Sequence, residues 1–303
     1  MRAQTRRQIA KGSLVFSFAL TLAASGYSQT RAEPIREHKH EKPARQCELP
    51  FRTYRDYLVV VQGSLGGKIK RNLIIDTGTD PSVIDRRLAQ ELHMPGVAGT
   101  LAVHDRVVDA EQAVLPSVRI GTLRAEFLPV LIRDLGFLQK DLGIRIDAVI
   151  GLDVLSLSNL SIDYATRRIT FGAAPVYGSS APYQSTPPHW LTVTMEVDGV
   201  PIRLLLDTAA SGLILFQSRI RNRLPLITLG KRLSSSLGGE VRLQRVTLGT
   251  TKFGGTDFGQ KNAFVVEDQE DETGEFDGLV GPSALGLKQI AFDFQRHTLS
   301  WEK

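Results

Sequence analysis

Four stretches of this 303-residue chain occur twice, in the same order and at nearly the same separation. LIIDTGTDPSVI (73–84) returns as LLLDTAASGLIL (204–215), which places Asp76 and Asp207 131 residues apart. VRIGTL (118–123) returns as VTLGTT (246–251), DAVIGLDVL (147–155) as DGLVGPSAL (277–285), and SIDYATRRITF (161–171) as AFDFQRHTLSW (291–301). A shift that stays near 130 over four segments marks an internal repeat. The repeating unit is about 115 to 120 residues, an ordinary size for a small domain. Whatever fold the chain adopts must therefore be one that such a unit can build twice.

Within each copy the pattern is mostly β. YLVVVQG, KIKRNLIID, VLPSVRIG and AEFLPVLI are short runs rich in β-branched residues and bounded by Gly or Pro. LTVTMEVDG, PIRLLLD and KNAFVVE repeat that character in the second copy. DRRLAQELHM (85–94) and SRIRNRL (218–224) predict short helices at equivalent places. No long helices alternate with the strands, which argues against a parallel α/β sheet. The expectation is an all-β chain of two similar β-barrel lobes with few short helices. Its N-terminal lobe covers 53–172 and its C-terminal lobe 189–303, joined by the Pro/Ser/Gly-rich linker AAPVYGSSAPYQSTPP (173–188).

Charge excludes one function class. Residues 1–49 hold nine Lys/Arg against four Glu, and the remainder carries 28 of each sign. The basic excess belongs to the N-terminal segment, so no nucleic-acid footprint is left. That segment reads as an export signal over 1–28: Arg2, Arg6, Arg7 and Lys11 precede the apolar LVFSFALTLAA, which is too short to span a bilayer. TRRQIAK (5–11) fits the twin-arginine route as well as the Sec route, and an uncleaved anchor is the remaining alternative. The expected location is periplasmic or secreted, with no stable membrane insertion after signal removal. Residues 29–52 form a charged linker. Cys47 is the only cysteine, so no internal disulfide is available and the core alone must hold the fold.

Asp-Thr-Gly by itself is a common turn sequence. Here it follows an apolar strand and recurs as Asp-Thr-Ala. Each copy is followed some 70 residues later by two apolar residues and a glycine, Val149-Ile150-Gly151 and Leu279-Val280-Gly281. This combination resembles the aspartic proteases, specifically the retropepsin-like branch, over nearly all of residues 53–303. In that family each lobe gives one aspartate to a site at the lobe interface; retroviral enzymes assemble it from two chains and pepsin-like enzymes from one. The resemblance implies a single-chain, exported bacterial member, a monomer with an internal pseudo-dimer. Asp76 and Asp207 would be its catalytic pair. Thr77, Gly78, Thr79, Thr208 and Ala209 would support the two loops, and Gly151 and Gly281 would be structural glycines. Its partner would be a peptide or protein substrate, and neither metal nor cofactor is implied. Two carboxylates held about 3 Å apart share one proton, which lets one activate water while the other donates to the scissile carbonyl.

The chain departs from the family pattern in two places. Ala209 stands where the second loop has glycine, and Ala210 cannot supply the hydroxyl that Thr79 offers in the first. An alanine with φ below zero keeps the same N–H and C=O, so Ala209 reads as a tolerated change. The competing reading is an impaired pseudo-protease that holds an extended peptide without cutting it. No tyrosine lies between Tyr57 and Tyr164 to serve a pepsin-type flap. GVAGTLAVHDRVVDAEQ (96–112) and KRLSSSLGGEVRLQR (231–245) are the flap candidates, with ordinary surface hairpins as the alternative.

Other chemistries are poorly served. AASGL (209–213) lacks the first glycine of G-x-S-x-G. His93, His104, His189 and His297 have no metal-ligand spacing. HKH (38–40) has no further ligands nearby, and EDQEDETGE (267–275) does not match an EF-hand.

Overall fold

Each lobe opens on a hairpin whose turn is set by the sign of φ. Leu58–Leu65 and Lys68–Ile75 join through Gly66 and Gly67, at φ of 53° and 79°. Trp190–Val197 and Val200–Leu206 join through Asp198 and Gly199, at 50° and 81°. Two successive left-handed residues give the tight turn whose twist matches that of paired strands.

The computed structural model describes residues 20–21, 46–103, 106–186, 190–236, 239–267 and 276–303. The leader 1–28, HKH at 38–40, His104, His189 and most of the acidic 267–275 loop lie outside the described residues. The exception in the leader is Leu20–Thr21, which pairs antiparallel with Val103 and Ala102. Among the described residues no helix is long and apolar enough to cross a membrane.

The lobes repeat one topology. In lobe 1 the strand Ala148–Ile150 lies between Lys68–Ile75, to which it is parallel, and Val83–Asp85, to which it is antiparallel. In lobe 2 Gly278–Val280 lies in the same way between Val200–Leu206 and Leu213–Phe216. A long hairpin closes each sheet on itself: Ser64 and Leu65 pair with Arg119 and Val118, and Met195 to Val197 pair with Phe253 to Thr251. The flap candidates belong to hairpins of equivalent placement, Val97–Val103 with Arg106–Ile120 and Ile227–Ser236 with Gly239–Phe253. The expected helices are shorter than their sequence signals, Arg86–Glu91 and Gln217–Ile220. Gly136–Leu142 is a helix that the sequence pattern does not announce.

A third sheet joins the lobes. Its six strands run Ser179–Pro182, Thr298–Glu302, Gln289–Asp293, Leu160–Asp163, Arg168–Phe171 and Cys47–Pro50. At its centre Ser161 pairs with Ala291, its own counterpart in the repeat, flanked by Leu160 with Phe292 and Ile162 with Ile290. A pseudo-two-fold axis therefore passes through the Ser161–Ala291 pair. Alternate residues Leu160, Ile162, Ile169, Phe171, Ile290, Phe292, Leu299 and Trp301 are fully buried and merge both lobe cores into one cluster. Each such side chain contributes about 1.5–3 kcal/mol by burial.

Two of these strands lie inside segments that the sequence assigns to linkers, Cys47–Pro50 in 29–52 and Ser179–Pro182 in 173–188. They are also repeats of each other, since Pro50 pairs with Arg168 as Pro182 pairs with Thr298. The physical reason is that each lobe ends on a two-stranded unit whose outer edge needs a partner, and the residues just before the lobe supply it.

Candidate active site

The strands Lys68–Ile75 and Val200–Leu206 run out of the two lobe cores and stop one residue before an aspartate. Asp76 N–H then bonds the Ile150 carbonyl, and Asp207 N–H the Val280 carbonyl, both at 3.0 Å. Each loop is thus pinned at its start by the inserted strand. Both aspartates are fully buried.

The glycines ending the inserted strands are explained by close approach. A Cβ on Gly151 would lie 2.2 Å from the Thr79 carbonyl oxygen, and one on Gly281 would lie 2.1 Å from that of Ala210. Gly151 and Gly281 both have negative φ. The strand end is pressed against the third residue after each aspartate, and only glycine leaves room.

Thr77 and Thr208 lock the two loops together. The Thr77 hydroxyl donates to the Leu206 carbonyl (2.7 Å) and accepts the Thr208 N–H (3.1 Å). Reciprocally, the Thr208 hydroxyl donates to the Ile75 carbonyl (2.9 Å) and accepts the Thr77 N–H (3.1 Å). All four bonds cross between lobes and are buried, where leaving such groups unpaired costs about 1–3 kcal/mol each.

This lock brings Asp76 and Asp207 together. Gly78 N–H donates to Asp76 Oδ1 and Ala209 N–H to Asp207 Oδ1, each at 2.7 Å. Neither Gly78 nor Ala209 has a positive φ, so the alanine forms the same backbone contact without strain. At Gly78 the constraint is proximity: a Cβ there would sit 2.6 Å from Cγ of Asp207. The third residue after each aspartate separates the two loops. The Thr79 hydroxyl donates to Asp76 Oδ2 at 2.6 Å, and Ala210 has no hydroxyl to offer Asp207.

Asp76 is pushed well above the usual carboxylate range. Burial is the main cause, followed by the charge of Asp207; hydrogen bonds from Thr79 and Gly78 oppose the rise, and a hydrogen bond between the two carboxyl side chains adds to it. The arrangement favours one proton held between two acids, whose titration belongs to the pair. Among the described residues no group of three or more His, Cys, Asp or Glu is placed to hold a metal ion.

Ser82 and Asp153, just behind the lobe 1 loop, escaped sequence reasoning. Ser82 donates its N–H and hydroxyl to Asp153 (2.9 and 2.6 Å). Their counterparts in the repeat are Leu213 and Ser283, so the duplication gave no signal there. The only hint is Asp153 itself, polar and two residues beyond Gly151 in an otherwise apolar stretch.

A family model described as Aspartyl protease matches the chain twice, over residues 61–154 and 193–284. Each match spans one aspartate loop and its inserted strand. A search of curated proteins returns no match.

Proposed function

Because the chain belongs to the aspartyl protease family, with one match in each lobe, we propose that it is an aspartic endopeptidase acting through Asp76 and Asp207. The observation that carries this reading is a pair of fully buried aspartates, one from each lobe, on loops that the reciprocal Thr77 and Thr208 bonds lock together. A water lying between them would lose a proton to the ionised member as it attacks the scissile carbonyl. The protonated member would donate to the carbonyl oxygen as charge develops there. Collapse of the tetrahedral species with proton return to the leaving amine releases both products. One carboxylate must keep its proton throughout, so activity is confined to acid and near-neutral pH.

The paired hairpins 97–120 and 227–253 are the flaps in this reading, and they would close over an extended peptide and exclude water. The leader supports export, so the substrate would be met outside the cytoplasm. With both half-sites in one chain, a monomer suffices.

The test is a peptide-library digest with the mature chain across roughly pH 3 to 7, beside Asp76→Asn and Asp207→Asn. Each substitution is expected to lower kcat by about a thousandfold or more. Undiminished cleavage by both variants would remove the assignment. A folded wild-type chain that binds peptides and cuts none would instead be a peptide-binding pseudo-protease.

A further inference from the structure

Lobe 1 carries a side-chain clamp behind its aspartate loop that lobe 2 does not repeat. Ser82 donates its N–H to Asp153 Oδ2 (2.9 Å) and its hydroxyl to Asp153 Oδ1 (2.6 Å). The same hydroxyl accepts the Gly151 N–H at 2.9 Å. Leu152, between Gly151 and Asp153, donates its N–H to the Thr79 carbonyl at 2.8 Å. Thr79 in turn holds Asp76 Oδ2 at 2.6 Å. Contacts therefore run without a break from Asp153 to Asp76. In lobe 2 the Gly281 N–H meets the backbone carbonyl of Gly212 instead (2.9 Å), with no side chain involved.

We propose, resting on the reading of Asp76 as half of the catalytic pair, that Asp153 is a positioning residue whose carboxylate clamps Ser82 and thereby fixes the 79–82 loop that supports Asp76. The clamp is sensitive to acid by construction. As an anion, Asp153 offers two acceptor oxygens, and Ser82 uses both. A proton on either oxygen removes the negative charge and takes up one acceptor site, so the bonds from Ser82 weaken. Burial pushes Asp153 up to about 6; the bonds from Ser82 oppose this, and Asp80, the charged group facing it, adds to the rise. The clamp thus loosens within the pH range where an acid-shared pair operates.

The test reads the clamp with and without catalysis. In 15N-labelled protein, the Ser82 and Gly151 amide shifts are expected to titrate together with a midpoint near 6, and Asp153→Asn is expected to abolish that titration. In the cleavage assay the same variant is expected to lower kcat about three- to tenfold with KM within about twofold. Its kcat profile should also lack an inflection that the wild type shows. Should Asp153→Asn fail to fold, Ser82→Ala serves: losing a bond that favours the anion, the residue-82 amide is expected to titrate at higher pH. Amides that do not titrate in the wild type, or a kcat profile in Asp153→Asn that superimposes on the wild type's, overturn the proposal. Titrating amides in a chain that cuts no peptide support the clamp and overturn only the proteolytic reading.

Discussion

A methyl group at position 78 would be driven into the Asp207 carboxyl, 2.6 Å from its Cγ, whereas position 209 already carries one. Gly78→Ala is therefore expected to abolish cleavage and to cost about 1–3 kcal/mol of stability through overpacking, measurable by urea denaturation. Ala209→Gly is expected to keep activity and lose only about 0.5–1 kcal/mol through added backbone freedom. The opposite ranking would contradict the close approach of position 78 to the Asp207 carboxyl. Thr79→Ala tests the other difference between the loops. Its hydroxyl lowers the Asp76 pKa, so removing it raises that pKa further. The shared proton is then held to higher pH, and the alkaline limb of the kcat profile is expected to move upward. A limb that stays still or moves down contradicts the contact. Sequence alone singled out these positions, because Asp-Thr recurs; it could not tell that the constraint on the glycine at 78 is proximity rather than φ. Ser82 and Asp153 were illegible for a different reason, since the repeat replaces them with Leu213 and Ser283.

At the scale of elements, the crossed threonines fasten one loop to another. Thr208→Val removes one hydroxyl but strands two buried partners, the Thr77 N–H and the Ile75 carbonyl. A loss of about 2–5 kcal/mol is expected, read as a lower denaturation midpoint; a loss below about 1 kcal/mol would show that the lock is not structural. The edge strands teach something else. Cys47–Pro50 alternates between half-buried and exposed positions and spans four residues, too few to show a period against its charged surroundings. CELPFRTY (47–54) and SSAPYQST (179–186) share little beyond a proline followed by an aromatic residue, so the repeat was faint where it mattered. The strand ends that lead to the aspartates were plain by contrast, because residues 73–75 and 204–206 are buried on both faces and read as continuous apolar runs. A chain begun at residue 53 is accordingly expected to melt at a lower temperature than one begun at 46, since the Arg168–Phe171 strand loses its outer partner.

For the whole molecule, the two raised carboxyl groups link folding to pH. Asp76 is raised by burial and by Asp207, and Asp153 by burial to about 6. A group raised in the folded state stabilises the fold below its unfolded pKa near 4, and that contribution is lost as pH rises through the folded value. Thermal stability is therefore expected to increase as pH falls from about 7.5 to 5, and the slope should shrink in Asp153→Asn. A flat or opposite trend would contradict both burials. Asp163, whose burial is outweighed by hydrogen bonds from Thr166 and Gln289, is lowered and acts only at more acid pH. The axis through Ser161 and Ala291 has one more consequence. When a site is built from two copies of one chain, every mutation strikes both halves, and neither half can change alone. Here each half is encoded separately, so Ala209 and the Asp153 clamp each occur once. A peptide has a beginning and an end, and a pocket whose halves are free to diverge can tell them apart.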